Sequence, residues 1–221
     1  PLRRNLYSID YKGKHKQRMT LGDGTYSISA SAGMKYYIST FSSANTPRKV
    51  EICDSKGKSI RTLVENRELT EKMKSLPTKE FFTFTTERGD KLNAYFIKPV
   101  DFDSEKKYPV LMTQYSGPGS QSVSDSFGLG WEYVMAANGY LVACVDGRGT
   151  GFMGEKFKKQ TYGQLGKLEV EDQLSFARWL GEQTYIDADR IGIYGWSFGG
   201  FMALGCALKG DGIFKMSIAV A

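Results

Sequence analysis

Residues 192–202 read GIYGWSFGGFM. An apolar run enters a serine fenced by glycines, Gly195-Trp196-Ser197-Phe198-Gly199-Gly200, and a second apolar run, FMALGCALKG, leaves it. A strand that turns sharply into a helix accepts this order. Gly195 and Gly199 let Ser197 project from the turn without a clash, and Gly200 lets the outgoing helix lie close on the sheet. The surrounding chain fits the same plan. YPVLMTQY (108–115), YLVACVD (140–146), RIGIYG (190–195) and FKMSIAVA (214–221) are short runs that are apolar throughout. Between the second and third, Val170, Leu174, Ala177 and Leu180 share one helical face. Apolar strands separated by amphipathic helices predict an α/β fold, a mostly parallel sheet covered on both sides.

A G-x-S-x-G between an apolar strand and a helix is the nucleophile elbow of α/β-hydrolases, and its helix N-terminus aims backbone N–H groups at any oxyanion formed on the serine. Two more loops close strands on the same edge of the sheet. Gln114-Tyr115-Ser116-Gly117-Pro118-Gly119-Ser120-Gln121 follows the first apolar strand, at the carboxyl end where open α/β sheets bind ligands. The residue type leaves two roles open for Tyr115: a phenol donating to a developing oxyanion, or a ring packed partly buried under the loop. Asp146-Gly147-Arg148-Gly149-Thr150-Gly151 ends the next strand, and GKLEVEDQ (166–173) opens the helix after it. Arg148 is expected to form a buried ion pair with Glu169 or Asp172 that braces this loop. Asp146 is a poor triad acid, because in this fold the acid follows the serine along the chain.

The first third of the chain obeys another rule. LYSIDYKGK (6–14) resembles VEICDSKGK (50–58), and Asp54 follows Asp10 by 44 residues. In each copy an alternating strand enters a D-x-K-G-K turn, where Gly13 or Gly57 supplies a positive φ, and a second strand leaves it. Two further strand candidates, TYSISAS and KYYISTFS, lie between the copies. Four strands recurring at about 40–45 residues is the period of a β-propeller blade. NRELTEKMKSLP (66–77) then reads as a short helix, with Leu69, Met73 and Leu76 on one face, Asn66 as N-cap and Pro77 as stop. The expected division is a terminal propeller blade over 1–65, a linker helix over 66–77, and the N-terminal part of an α/β-hydrolase domain over 78–221.

Composition removes other classes. A net charge of +6 is spread over lysine-rich turns such as Lys12-Gly13-Lys14, with no basic stripe interleaved by aromatics, so nucleic acid is not an expected partner. Cys53, Cys144 and Cys206 lie too far apart for a disulfide framework or a metal site, and Cys144 and Cys206 read as core. No apolar run reaches the roughly 18 residues of a membrane span, and PLRRNLYSIDYKGK has no signal-peptide core. No metal and no cofactor is implied.

Taken together, YSGPGSQ, DGRGTG, LEVEDQ and GWSFGGFM resemble the prolyl oligopeptidase family of serine peptidases, and Y-x-G-P-x-S-Q resembles its dipeptidyl peptidase IV branch in particular. The resemblance covers 78–221 closely and 1–77 more loosely. It implies a propeller joined to a hydrolase domain, and an exopeptidase that releases N-terminal dipeptides after proline or alanine. Ser197 would be the acylating nucleophile, Tyr115 the side-chain oxyanion donor, and the Phe198 backbone N–H the second donor. The Phe198 ring would wall the pocket for the residue before the scissile bond, where the branch usually carries tyrosine. Trp196 would pack beside the elbow. The resemblance also implies a peptide substrate, a homodimeric full-length protein and a periplasmic or cell-surface location.

The triad partners are the exception. They are expected after the serine, and residues 198–221 hold one carboxylate, Asp211, and no histidine. The only histidine, His15, sits in KGKHK and reads as an exposed turn residue. The triad Asp and His are therefore expected outside this chain. The missing C-terminal half of the hydrolase domain would be its partner, and the chain alone would be inactive. The alternatives are an acylaminoacyl-peptidase-like or oligopeptidase-like hydrolase, or a non-catalytic interaction module.

Overall fold

In a computed structural model that describes residues 1–221, the chain separates after Leu76 into two units, with the short stretch Ser124–Gly128 grouped with the first. The first unit is antiparallel throughout. β1 (Tyr7–Ser8) and β2 (Gln17–Arg18) form one hairpin. β3 (Thr25–Ala30), β4 (Tyr36–Ser43), β5 (Thr46–Asp54) and β6 (Ser59–Val64) form a four-stranded meander in which each strand pairs with the next. The two D-x-K-G-K turns are hydrogen-bonded alike. The Asp10 carboxylate accepts from the N–H groups of Lys12 (3.0 Å) and Lys14 (2.7 Å), and the Asp54 carboxylate from those of Lys56 and Lys58 (2.9 Å each). Gly13 and Gly57 have φ of 73° and 91°. The second turn joins the last two strands of the meander, whereas the first closes the separate hairpin, so the repeat spans two sheets rather than one.

α1 (Arg67–Met73) follows, with Met73 buried. Asn66 stands at the cap position but does not cap: at φ 53° its side-chain amide reaches back to the carbonyl of Arg48 (2.7 Å). Ser124–Gly128 joins this unit through Asp125. Its buried carboxylate accepts from Arg3 Nε (2.7 Å) and from the N–H of Ala44 (2.8 Å).

The second unit begins with a hairpin, β7 (Lys79–Thr85) and β8 (Lys91–Ile97), turning through Glu87-Arg88-Gly89-Asp90. Then come β9 (Tyr108–Thr113), α2 (Trp131–Ala137), β10 (Leu141–Asp146), α3 (Glu155–Lys158), α4 (Leu168–Gly181), β11 (Ile186–Trp196), α5 (Phe198–Lys209) and β12 (Met216–Val220). The sheet order is β12-β11-β9-β10-β8-β7; the first four strands are parallel and the hairpin adds antiparallel strands at the far edge. The unit is thus an α/β-hydrolase sheet, mixed and mostly parallel.

After β9 the chain steps to β10 on one side, then crosses back to β11 on the other. Right-handed crossovers in opposite directions put α2 on one face and α4 with α5 on the other. The reversal makes the gap between the carboxyl ends of β9 and β11 the topological switch point, where such sheets bind ligands.

Strand alternation accounts for the core. Val110, Met112, Ala143, Val145, Ile191 and Ile193 are buried in one cluster with residues of α4 and α5. The intervening Leu111, Val142 and Cys144 are buried too, so both faces are covered and the strands read as apolar throughout. Each such large side chain contributes about 1.5–3 kcal/mol. Val170, Leu174, Ala177 and Leu180 are all buried. No helix is long and apolar enough to cross a membrane.

Candidate active site

β11 ends at Trp196 and α5 begins at Phe198, so Ser197 alone makes the turn. It does so at φ 58°, ψ −120°, a region that non-glycine residues enter at a cost of about 1–3 kcal/mol. Its side chain is exposed at the sheet edge, and its N–H donates to the carbonyl of Val220 (2.7 Å) on the neighbouring β12. The glycines answer to specific neighbours. A Cβ on Gly195 would strike the carbonyl of Gly199, and one on Gly200 would lie 2.6 Å from the carbonyl oxygen of Val220. A Cβ on Gly199 would lie 2.6 Å from the carbonyl oxygen of Gln114 and 3.2 Å from Cα of Tyr115. Gly199 is therefore small because the end of β9 presses on it, a reason additional to the freedom of the serine.

The strand register brings the second loop alongside. Thr113 of β9 pairs with Tyr194 of β11, so Tyr115 and Ser197 emerge from adjacent strands on the same edge. The Tyr115 ring is 40% exposed, folds over Gly117, and meets the Phe198 ring at 6.2 Å between centroids. It is thus neither buried under its loop nor held by a hydrogen bond of its own. Phe198 is half-buried and also packs edge-on against Phe201 (5.6 Å). As the first residue of α5, its N–H has no acceptor within the helix. The site therefore offers an exposed hydroxyl on a strained turn, a free backbone donor at a helix start, and a phenol on the adjoining strand.

The third loop braces the second. Arg148 takes Asp172, one of its two expected partners. Nη2 lies 2.6 Å from Oδ1, Nε lies 3.0 Å from both oxygens, and the Arg148 N–H donates at 2.7 Å. Glu171 and Asp90 stand at 3.5 and 3.6 Å. Burial acts to lower the Arg148 pKa, but Asp172 prevails and holds it above the ordinary value. Glu169 is not a partner. It lies in the first turn of α4 and folds back to accept from the N–H of Gly166 (3.1 Å), as first-turn carboxylates do. Burial raises its pKa. The braced loop in turn holds the Tyr115 loop, since Gly119 N–H donates to Gly149 (2.9 Å) and Gly151 N–H to Ser120 (2.7 Å).

Trp196 departs from expectation. It is 63% exposed rather than packed, because it stands where β11 leaves the sheet. His15 is exposed in the first unit, 3.8 Å from Asp10, and Asp211 is an exposed turn residue at φ 47°. No group of His, Cys, Asp or Glu could hold a metal ion.

Sequence reasoning passed over Gln114, Ser116 and Gln173, and assigned Asp146 no task. Asp146 accepts from the N–H groups of Ser122 (3.0 Å) and Val123 (2.8 Å), tying down the far end of the Tyr115 loop. Burial pushes its pKa up to about 6 against these donors. The one available signal was a polar pair, Gln114 and Ser116, flanking an aromatic at a strand end.

Fold and site together define an α/β-hydrolase with a serine elbow, and the comparisons narrow the class. A family model described as the prolyl oligopeptidase family matches residues 126–221, and one described as the dipeptidyl peptidase IV N-terminal region matches residues 1–48. Probable dipeptidyl-aminopeptidase B of Podospora anserina is 40% identical over 229 residues, covering 100% of this chain and 24% of the relative. That of Pyrenophora teres is 39% identical, covering 100% and 25%. The crystal structure of Porphyromonas gingivalis dipeptidyl peptidase 4 superposes with a TM-score of 0.92 at 48% identity, over 97% of this chain and 31% of that one. A putative dipeptidyl aminopeptidase IV from Bacteroides ovatus gives 0.84 at 30% identity, over 95% and 30%. Residues 126–221 thus match the prolyl oligopeptidase family, and the chain as a whole is similar to dipeptidyl peptidase IV-like proteins. It spans about a quarter of the length of the curated relatives it matches.

Proposed function

We propose that the whole protein is a serine peptidase that releases N-terminal dipeptides after proline or alanine, with Ser197 as nucleophile. The observation that carries this is Ser197 itself: exposed at φ 58°, ψ −120°, one strand away from Tyr115 at the switch point. Its Oγ attacks the scissile carbonyl carbon and its proton passes to a base. The oxyanion is received by the Phe198 N–H and the Tyr115 hydroxyl. The base then protonates the leaving amine, and water hydrolyses the acyl-enzyme through the same oxyanion site. The Phe198 ring walls the pocket for the penultimate residue.

The base and its acid are proposed to come from residues of the whole protein outside these 221, since the lone histidine lies at an exposed turn of the first unit. Residues 1–65 are proposed as propeller, with the four-stranded sheet β3–β6 as the terminal blade and the separate β1–β2 hairpin outside it, 66–77 as linker and 78–221 as part of the hydrolase domain. The whole protein is proposed to be a homodimer acting on peptides.

The test is hydrolysis of an Xaa-Pro-anilide by the whole protein beside its Ser197→Ala variant. Anilide release that vanishes in the variant supports the reading. Release that survives it removes Ser197 as nucleophile, and activity confined to acylated or longer peptides replaces the dipeptidyl specificity.

A further inference from the structure

Tyr115 is flanked by two polar residues that turn inward. Gln114 and Ser116 are buried, and both belong to one chain of hydrogen bonds. Gln173 of α4 donates from Nε2 to the Ser116 hydroxyl (3.1 Å) and to the carbonyl of Val145 (3.0 Å). Ser116 donates to Gln114 Oε1 (3.1 Å), and Gln114 Nε2 donates to the carbonyl of Gly199 (2.8 Å). The relay thus runs from α4, across the segment after β9, into the first turn of α5, two residues beyond Ser197.

Every side chain in it is removed from water, and Gln173 Oε1 has no hydrogen-bond partner. Apolar side chains of the same size would fill this space without that desolvation cost, so the polar choice points to a need for one fixed geometry. Ser116 has φ 59°, a strained conformation for a non-glycine residue that persists only where its surroundings impose it. Tyr115 needs such a frame, because its phenol has no hydrogen bond and its ring rests on Phe198 and Gly117.

We infer that Gln114, Ser116 and Gln173 are positioning residues: their relay locks the Tyr115 backbone to the elbow helix and sets the reach of the phenol toward an oxyanion at Ser197. This rests on the peptidase reading above.

The test is made in the whole protein. Gln114→Met and Ser116→Ala are each introduced alone and together with Tyr115→Phe, and kcat, KM and the thermal midpoint are measured with an Xaa-Pro-anilide. Alone, each lowers kcat about tenfold and leaves KM within about twofold, since misplacing a donor acts on the transition state. In the Tyr115→Phe background the same substitutions change kcat by less than about twofold, because the group they position is already gone. Full multiplication of the effects in both backgrounds overturns the inference, as does unchanged kcat in folded variants. If Gln114→Met does not fold, Ser116→Ala, which removes one hydroxyl, decides alone. A Tyr115→Phe protein as active as its parent overturns the role of Tyr115 as well, a failure that the first two outcomes do not produce.

Discussion

The carbonyl oxygen of Gln114 lies 2.6 Å from the point where a Cβ on Gly199 would sit, so the segment after β9 that carries Tyr115 and the first turn of α5 that follows Ser197 touch backbone to backbone. A methyl group there cannot be absorbed by a flexible side chain. Gly199→Ala is expected to push the two segments apart, costing about 1–3 kcal/mol of stability. Activity should fall by a larger factor, about a hundredfold, because displacement acts on the reacting geometry. Thermal melts and anilide turnover of the same preparation test this, and a variant that keeps its turnover would refute it.

Ser197 occupies φ 58°, ψ −120°, which glycine adopts freely and alanine does not. Ser197→Ala and Ser197→Gly should both be inactive, but the glycine variant should be the more stable by about 1 kcal/mol, the relieved strain less glycine's entropy cost. Equal melting points would show that the elbow stores no strain.

Arg148 and Asp172 form a buried bidentate pair. Arg148→Met leaves the Asp172 carboxylate buried without its cation and is expected to cost about 3–5 kcal/mol. Adding Asp172→Asn removes the stranded charge and should recover part of that loss. Urea unfolding of the single and double variants measures both steps; a double variant less stable than the single would contradict the account.

Burial raises the Asp146 pKa from 3.8 to about 6. The folded state therefore binds this proton more tightly than the unfolded state does. The stabilisation is complete below about pH 3.8, the unfolded value, and is lost as pH rises to about 6. The loss amounts to about 3 kcal/mol. Relative to Asp146→Asn, which cannot ionise, the unmodified protein should lose this amount between pH 4 and 6 and show a constant difference above that window. Parallel pH–stability profiles would exclude Asp146 as the titrating group.

The elbow was legible because each of its requirements is local: an apolar strand, three glycines and an apolar helix lie within one short stretch. The blade period was legible because the D-x-K-G-K turn leaves the same trace twice. The Gln114 relay was not, since its members are up to 85 residues apart and only the sheet order brings them together. The choice between Glu169 and Asp172 was hidden for a related reason. Both are acidic residues near one helix start, and which of them faces Arg148 depends on how α4 is rotated against the sheet. Asn66 had the composition of a cap, and a carbonyl 18 residues away claimed its amide instead.

The Asp10 and Asp54 turns are satisfied by their own carboxylates, through bonds reaching no more than four residues along the chain. Neither needs a partner strand in place before it closes, and hairpins of this kind form in about 1–10 μs. Each turn can therefore set its own strand register before long-range pairing begins, giving successive sheets separate local starting points during folding. Repeated sequences are prone to pairing with the wrong copy, and a turn that closes on itself first shortens the time in which that exchange can occur.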